Sequence, residues 1–394
     1  MIETTERPLT EVATGKRLPI RKLLPLTLAG FIAIMTETMP AGLLPEISRG
    51  LQVTASYAGQ LISVYALGSV LAAIPAIALT LHWPRKRLLL LAITGFLVFN
   101  AVTALSTNYA ITLVARFLAG MAAGITWGML IGYAKRIVPP AMEGKAMALV
   151  GLGQPIALAI GVPLATWIGK QLGWNGAFWI MTVTAALLVG WIIRSMPDFA
   201  GVQQKKKTNI YGVLMLHGVR TLLFAMFLWV LAHNILYTYI APFLSGAGLA
   251  GAVDMILFFF GISAILGIFI VGALVDRWLH SLVLISLLLF ALGAVALMAA
   301  PEQRLFLYTG VFLWGISFGG LPTLLQKRMA DHTGIHGDVG QSMFVTVFNL
   351  AVAMGGITGG VLLDRYGPVS FPWAVLATCV VILITLQFRR RTAA

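Results

Sequence analysis

The chain of 394 residues is 59% hydrophobic and only 10% charged, with a mean hydropathy of +0.93. A soluble domain carries about 25% charged residues, so the composition excludes an ordinary soluble protein and predicts one that crosses a membrane many times. The formal net charge of +14 is large enough to suggest a nucleic-acid partner. The positions of the basic residues along the chain test that suggestion.

Twelve apolar runs are long enough to cross a membrane, since about 20 residues of helix span about 30 Å of hydrocarbon. They predict an all-α polytopic membrane protein. The predicted spans 1 to 12 cover residues 23–44, 57–81, 88–105, 110–133, 146–169, 177–193, 221–243, 253–275, 281–299, 305–325, 339–363 and 369–388.

The basic residues lie mostly on one side of this topology. With the N-terminus placed in the cytoplasm, 22 of the 27 fall in cytoplasmic tails and loops, four fall on the other side, and Arg116 falls inside span 4. An excess of Lys and Arg marks the cytoplasmic side of a membrane protein. We therefore expect both termini in the cytoplasm and a lipid bilayer, with no nucleic acid, as the partner of these charges.

The longest polar connection, residues 195–220, divides the spans into two sets of six. This linker joins an N-terminal bundle (23–194) to a C-terminal bundle (221–388), with tails at 1–22 and 389–394. Similar runs follow span 2 (AIALTLHWPRKR) and span 8 (GALVDRWLH), which supports two parallel repeats. In transporters built this way, the substrate site lies near the midplane between the halves.

Two further observations limit the chemistry. The first apolar run lacks a small-residue cleavage site, so it is predicted to be a retained helix and not a signal peptide. Cys379 is the only cysteine, so one chain can form neither a disulfide nor a cysteine-based metal site. We expect no metal and no cofactor.

Glu37 is the most informative residue, because it lies inside the apolar run of span 1. A charge at bilayer depth costs about 2.5 to 3.5 kcal/mol even on the lenient insertion scale, and such residues usually serve proton or substrate pathways. Arg116 in span 4 is predicted to lie at the same depth, about 10 Å below the outer surface. The two side chains are therefore a predicted pair, or members of one water network. A structural anchor that binds helix carbonyls remains the alternative for Arg116.

Other polar residues are predicted near the middle of the bilayer. Each of them either binds substrate or forms a hydrogen bond between helices, and the sequence leaves both interpretations open. The candidates for substrate binding are Gln60, Trp127, Gln154, His233, Asn234, Tyr237, Tyr239 and Asn349. Asp254 and Asp364, at outer helix ends, receive no transport role.

Several motifs, in this order and spacing, resemble those of a known family. They are ETMPAGLLPEI (residues 37–47), RFLAGMAAG (116–124), GVPLATWIG (161–169), YTYIAPFL (237–244), and FNLAVAMGG followed by GGVLLDRYG in span 11. Over essentially its whole length the chain resembles the major facilitator superfamily, in particular the bacterial drug and proton antiporter branch with its sugar efflux proteins and purine nucleoside exporters.

The resemblance implies a fold of twelve helices in two pseudo-symmetric six-helix bundles and a position in the bacterial inner membrane. It also implies a role for the bend at Gly161 and Pro163 in limiting leak, although plain helix packing is an equal alternative. In the loop after span 2 the family pattern has Gly and Asp where this chain has Ala76 and Thr80, and only Arg85, Lys86 and Arg87 remain. The second copy keeps Gly272, Asp276 and Arg277, so a conformational latch is either absent or transferred to Asp276.

The sequence therefore predicts a monomeric, proton-coupled antiporter that exports small neutral or amphipathic compounds such as sugars, nucleosides or uncharged antibiotics. Glu37 would carry the proton and Arg116 would modulate it. Uptake by symport or facilitated diffusion uses the same fold and is the alternative. A membrane-embedded enzyme is disfavoured, because the six histidines are scattered and catalysis needs clustered reactive groups.

Overall fold

The described part of the chain folds as twelve membrane-crossing helices in two six-helix bundles, which confirms the predicted fold class. The computed structural model describes residues 18–73, 79–80, 82–201 and 210–392, with side chains described except at 73, 335, 338 and 386–392. Ala76, the charged residues of the linker at 205–207 and most of the N-terminal tail lie outside the described residues.

The first six helices follow the predicted spans closely, except that residues 74–78 and 81 of predicted span 2 lie outside the described residues. They are α1 (Ile20–Gly42), α2 (Ala55–Ala73), α3 (Arg85–Leu105), α4 (Tyr109–Ile137), α5 (from Glu143 through several short segments to Gly173) and α6 (from Gly173 to Ser195). A short helix, Leu44–Leu51, follows α1. The break between α5 and α6 is a single residue, Gly173, whose φ of 77° favours glycine.

The second six helices repeat this plan. They are α7 (Val219–Thr238), α8 and α9 (Val253–Ala299, divided at Trp278), α10 (Arg304–Thr333), α11 (Gly337–Tyr366) and α12 (Ser370–Thr392). Within the described residues, nine continuous helices are long and apolar enough to cross a membrane. Two of the nine each contain two crossings, and α12 supplies the remaining one.

Glycines let the same helix pairs pack closely in both halves. A Cβ on Gly120 of α4 would lie 1.9 Å from the carbonyl oxygen of Tyr65 in α2, and a Cβ on Gly68 would lie 2.1 Å from that of Phe117. In α8 and α10, Gly267 and Gly319 meet the carbonyls of Ile316 and Ala264 in the same way. Both steps, from Gly68 to Gly267 and from Gly120 to Gly319, are 199 residues. This packing is therefore part of an internal repeat. The exact residues at which each bundle begins and ends stay a prediction.

Polar contacts join the two halves at the end of the bundle where α1 ends, here called the distal end. Ser56 of α2 donates a hydrogen bond to Asp364 of α11. Lys170 of α5 forms an ion pair of 2.6 Å with Asp254 at the start of α8. At the opposite, proximal end, the pairs Lys135–Glu143 and Lys327–Asp276 each stay within one half. The halves are therefore drawn together distally.

Candidate functional site

The Glu37 side chain is buried in α1, with only 8% of the residue exposed. It is the only buried acidic residue in the described part of the chain. No described residue forms an ion pair or a hydrogen bond with it. The structure thus places an unbonded carboxylate inside the bundle, which is the expected condition for a group that exchanges a proton.

The local structure of α1 opens the backbone beside Glu37. Pro40 lies inside the helix, and because proline has no N–H, the carbonyl of Thr36 loses its usual partner four residues on. The Thr36 hydroxyl accepts a hydrogen bond of 3.0 Å from the Asn100 amide of α3. Asn100 is fully buried and its Oδ1 has no partner among the described residues. The Thr36 carbonyl has therefore lost its helical partner, and the Asn100 side chain that contacts Thr36 keeps a free acceptor, Oδ1.

Arg116 is the only buried basic residue in the described part of the chain. Its Nε donates to the carbonyl of Leu61 in α2 at 3.3 Å, and its guanidinium lies 4.7 Å from the centroid of the Tyr65 ring. Neither Nη1 nor Nη2 has a partner among the described residues. The bond to Leu61 fits an anchor, but one bond leaves most of the donor capacity of the guanidinium unused.

Glu37 and Arg116 do not form an ion pair in this structure, although their charges interact. Glu37 also interacts electrostatically with Tyr65 of α2 and with Tyr237 of α7. The Tyr237 hydroxyl approaches Thr38 of α1 outside hydrogen-bond geometry. The carboxylate therefore lies where the N-terminal half meets the C-terminal half. Glu37 is five residues from the end of α1 and Arg116 is seven residues from the start of α4, and their shared depth stays a prediction.

His233 belongs to an aromatic cluster of α7, α8 and α10. Its Nδ1 accepts a hydrogen bond of 3.0 Å from the Trp314 indole, and its ring stacks on Phe318 with centroids 3.3 Å apart. Tyr237 and Phe260 complete the cluster. Because Nδ1 is already occupied, any bond from His233 to a substrate would have to use Nε2. Tyr237 is the member of this cluster that faces α1.

Four of the other predicted binding residues divide into two sets. Gln60 and Tyr239 join the halves: the Tyr239 hydroxyl donates to the carbonyl of Ser56 in α2 at 3.3 Å, and the Gln60 amide donates to the carbonyl of Gly356 in α11 at 3.4 Å. Asn234 and Asn349 each donate to the carbonyl four residues earlier in their own helix. The bonds of Gln60 and Tyr239 are of the interhelical kind that the sequence left open as the alternative, whereas those of Asn234 and Asn349 are local to one helix.

Trp127 of α4 packs against α1, and so does the part of α5 that contains Gln154, Gly161 and Pro163. The Trp127 ring lies within 3.7 Å of a Cβ built on Gly30, and both Trp127 and Gln154 are half-buried. Residues Ala157–Gly161 form a π-helical turn just before Pro163, and such turns are frequent at functional sites. A Cβ on Gly161 would lie 2.3 Å from the Met35 sulfur, so this glycine allows α5 to pack against α1.

The family of the chain is decided by its match to a family model. Residues 26–339, and again 260–393, match the model described as Major Facilitator Superfamily. The chain belongs to the major facilitator superfamily. The second match covers the C-terminal half alone, as expected if the two halves repeat one unit.

Two superfamily relatives are named as efflux proteins. The chain is 25% identical over 371 residues to a "Probable sugar efflux transporter" of Mannheimia succiniciproducens, covering 93% of this chain and 94% of the relative. It is 27% identical over 379 residues to a chloramphenicol efflux pump of Mycobacterium tuberculosis, covering 92% and 89%. Among solved structures, a mutant of the nucleoside transporter NupG superposes with a TM-score of 0.73 at 14% identity, covering 93% of this chain and 99% of that one. This protein is a transporter and not an enzyme.

The superfamily loop motif adopts an unexpected arrangement in the N-terminal half. Asp198, just after α6, accepts a hydrogen bond of 3.0 Å from the backbone N–H of Lys86 at the start of α3. The N–H of Arg85 donates to the carbonyl of Phe199 at 2.8 Å, and Arg136 donates to that of Ala200 at 2.7 Å. The beginning of the linker, residues 196–201, is thus bound across α3 and α4, and Asp198 caps a helix that has no side-chain cap of its own.

The second copy of the motif stays within its own half. Lys327 of α10 donates to Asp276 at 2.8 Å, while Gly272 and Arg277 are exposed. A latch between the halves through Asp276 is therefore not formed in this conformation. Asp254 and Asp364, to which the sequence assigned no role, are the acids that do connect the halves.

Replacing Asp198 with Ala should loosen this linker attachment. We expect the melting temperature to fall by the equivalent of about 1 kcal/mol, the usual cost of losing an N-cap, with the fall visible by thermal denaturation of the purified protein. Asp331→Ala, which removes an exposed acid at the end of α10, is the matched control. Equal melting of wild type and Asp198→Ala would show that the cap contributes nothing.

Proposed function

We propose that this transporter exports small neutral or weakly amphipathic compounds in exchange for protons, with Glu37 as the proton carrier. The observation that carries the proposal is the position of Glu37: it is the only buried acid in the described residues, it is unbonded, and it lies between the halves. An intramembrane acid that has no structural partner is costly. Proton exchange during the cycle is the function that best explains its presence.

The mechanism follows from which end of the bundle is closed. The distribution of basic residues supports a proximal end that faces the cytoplasm of a bacterial cell, across the inner membrane. The distal contacts Ser56–Asp364 and Lys170–Asp254 would then form the closed outer gate. When they separate, Glu37 meets the outside and takes up a proton; when they re-form, it meets the cytoplasm and releases the proton while the substrate loads.

Arg116 is proposed to favour proton release from Glu37. Its two unpaired nitrogens leave room for the carboxylate, or for waters that connect to it, in another conformation. A nearby cation favours the charged form of an acid, and burial favours the neutral form. Movement of α1 relative to α4 would therefore change the proton affinity of Glu37 during the cycle.

Replacement of Arg116 tests this role against that of an anchor. If Arg116 acts on Glu37, Arg116→Gln should bind substrate with an altered pH dependence, because Glu37 then stays protonated at neutral pH. Substrate binding between pH 5 and 9, measured together with the folded fraction, provides the readout. Loss of folded protein with an unchanged pH dependence in what remains would show that Arg116 only anchors α2.

The proposed substrate class rests on the shortage of acids. If Glu37 carries the proton, no other buried acid in the described residues can hold a permanently cationic substrate throughout the cycle. The aromatic cluster and the neutral side chains Gln154 and Tyr237 suit neutral polar compounds, since concave sites combine apolar surface with a few polar groups. The efflux names of the two relatives agree with this class.

A transport screen tests the class directly. We expect sugars, nucleosides and uncharged antibiotics to be exported or to raise the melting temperature, whereas quaternary ammonium dyes have little effect. Strong, Glu37-dependent export of such dyes with no response to neutral compounds would show that the count of acids is misleading.

Uptake by symport or facilitated diffusion is the second candidate, because the fold serves both directions. Everted membrane vesicles with an acidic interior separate the two. An exporter of this kind accumulates substrate inside these vesicles, a symporter expels it, and a facilitator only equilibrates it. The direction of substrate movement under an imposed gradient is therefore decisive.

A further inference from the structure

A cavity of about 510 Å³ lies at the proximal end of the C-terminal half, well apart from the proposed proton site. It lies between the start of α7 and the last turns of α12. Its lining includes Met215, His217, Arg220, Thr221, Phe224 and Thr385. None of these residues takes part in the transport mechanism proposed above.

The lining combines a cation with apolar surface in a definite order. Arg220 is exposed and has no acidic partner in the described part of the chain. Phe224 lies four residues further along α7, so it is on the same face and about 6 Å deeper in the membrane. Its side chain is also exposed, at 47%. One face of α7 thus presents an exposed cation at the end of the helix and an exposed aromatic ring one turn further in.

Two further polar residues line the same cavity. They are Thr221 and His217, next to Arg220 in the chain sequence of α7 and the segment before it. Gly218, which precedes α7, has no side chain that could cap the helix. The free backbone N–H groups of the first turn of α7 therefore add to the positive potential near Arg220. Basic pockets between membrane helices at the cytoplasmic side are typical binding sites for anionic head groups.

We propose that this cavity binds the phosphate head group of an anionic phospholipid, with Arg220 as its main ligand and Phe224 against the acyl chain. A lipid explains both residues, because its phosphate lies at the depth of the helix end and its chain lies at the depth of Phe224. A free phosphate ion would account for Arg220 alone.

Lipid retention by the purified, full-length protein tests the proposal. Native mass spectrometry would measure binding of phosphatidylglycerol, phosphatidylethanolamine and inorganic phosphate to wild type, Arg220→Gln, Phe224→Ser and Arg194→Gln. One surface arginine contributes about 1 kcal/mol of attraction to anionic lipid, so Arg220→Gln should bind phosphatidylglycerol about five-fold more weakly. Arg194, exposed at the proximal end of α6, is the matched control and its loss should change binding less than two-fold.

The arms of this experiment separate the sources of phosphate. We expect wild type to prefer phosphatidylglycerol to phosphatidylethanolamine, and Phe224→Ser to weaken phosphatidylglycerol binding without altering any binding of inorganic phosphate. Inorganic phosphate that binds as well as the lipid, and independently of Phe224, would overturn the assignment to a lipid. Equal loss of lipid binding in Arg220→Gln and Arg194→Gln would show that general surface charge attracts the lipid. That result would also overturn the proposed site.

Discussion

Glu37→Gln should abolish export driven by a pH gradient while leaving substrate binding measurable. Glutamine keeps the shape and most of the hydrogen-bonding capacity of a protonated glutamate, but it cannot release a proton. The variant should therefore bind substrate and exchange it with unlabelled substrate across the membrane, yet fail to accumulate it. Accumulation in proteoliposomes with an imposed pH gradient, compared with exchange in the absence of a gradient, separates these steps.

Glu46→Gln provides the control for this variant. Glu46 lies in the short helix after α1, where it pairs with exposed Arg49. Its neutralisation removes a carboxylate from the same region of the chain without touching the buried site. We expect export by Glu46→Gln to equal that of wild type. Undiminished accumulation by Glu37→Gln under the same gradient would contradict the role of Glu37.

Gly120→Ala should strongly destabilise the packing of α4 against α2. The new Cβ would lie 1.9 Å from the carbonyl oxygen of Tyr65. That oxygen belongs to the backbone of the packed helix α2, which cannot move aside as a flexible side chain can. Overpacking of this kind typically costs about 1 to 3 kcal/mol. Gly319→Ala should behave similarly, because its Cβ would lie 1.9 Å from the carbonyl oxygen of Ala264.

Gly132 is the matched control within α4. A Cβ there has no heavy atom within 4 Å, so Gly132→Ala should be neutral or stabilising by up to about 1 kcal/mol, the helix-propensity difference between the two residues. Thermal denaturation in detergent, combined with the yield of monodisperse protein, measures both effects. Equal stability of Gly120→Ala and Gly132→Ala would show that α2 and α4 are not packed as closely as described.

The sequence predicts the helices and the buried charges well for a physical reason. A bilayer requires about 20 apolar residues per crossing, so the spans are visible in composition, and a charge such as Glu37 is conspicuous within one. The same signal was present at Asn100, a polar residue inside span 3 that the structure links to Thr36. The sequence assigns Asn100 no role, because its partner Thr36 is evident only once α1 and α3 are packed together.

Contacts between distant parts of the chain could not be predicted in the same way. Whether His233 meets Trp314, or Asp198 meets Lys86, depends on the rotation of one helix against another and on the path of the linker. Neither is encoded in the periodicity of a single segment. Similarly, the bend expected at Gly161 and Pro163 is a π-helical turn at Ala157–Gly161, which absorbs the missing N–H of proline without breaking α5.

The most direct test of proton-coupled export is a measurement of proton movement caused by substrate alone. Proteoliposomes containing a pH-sensitive dye and no imposed gradient would receive a concentration step of a neutral substrate identified by the screen. An antiporter predicts an opposite flow of protons that depends on substrate, saturates with its concentration and is absent in Glu37→Gln. Substrate uptake of normal rate without any proton movement, or with proton movement unchanged in Glu37→Gln, would contradict the mechanism proposed for this transporter.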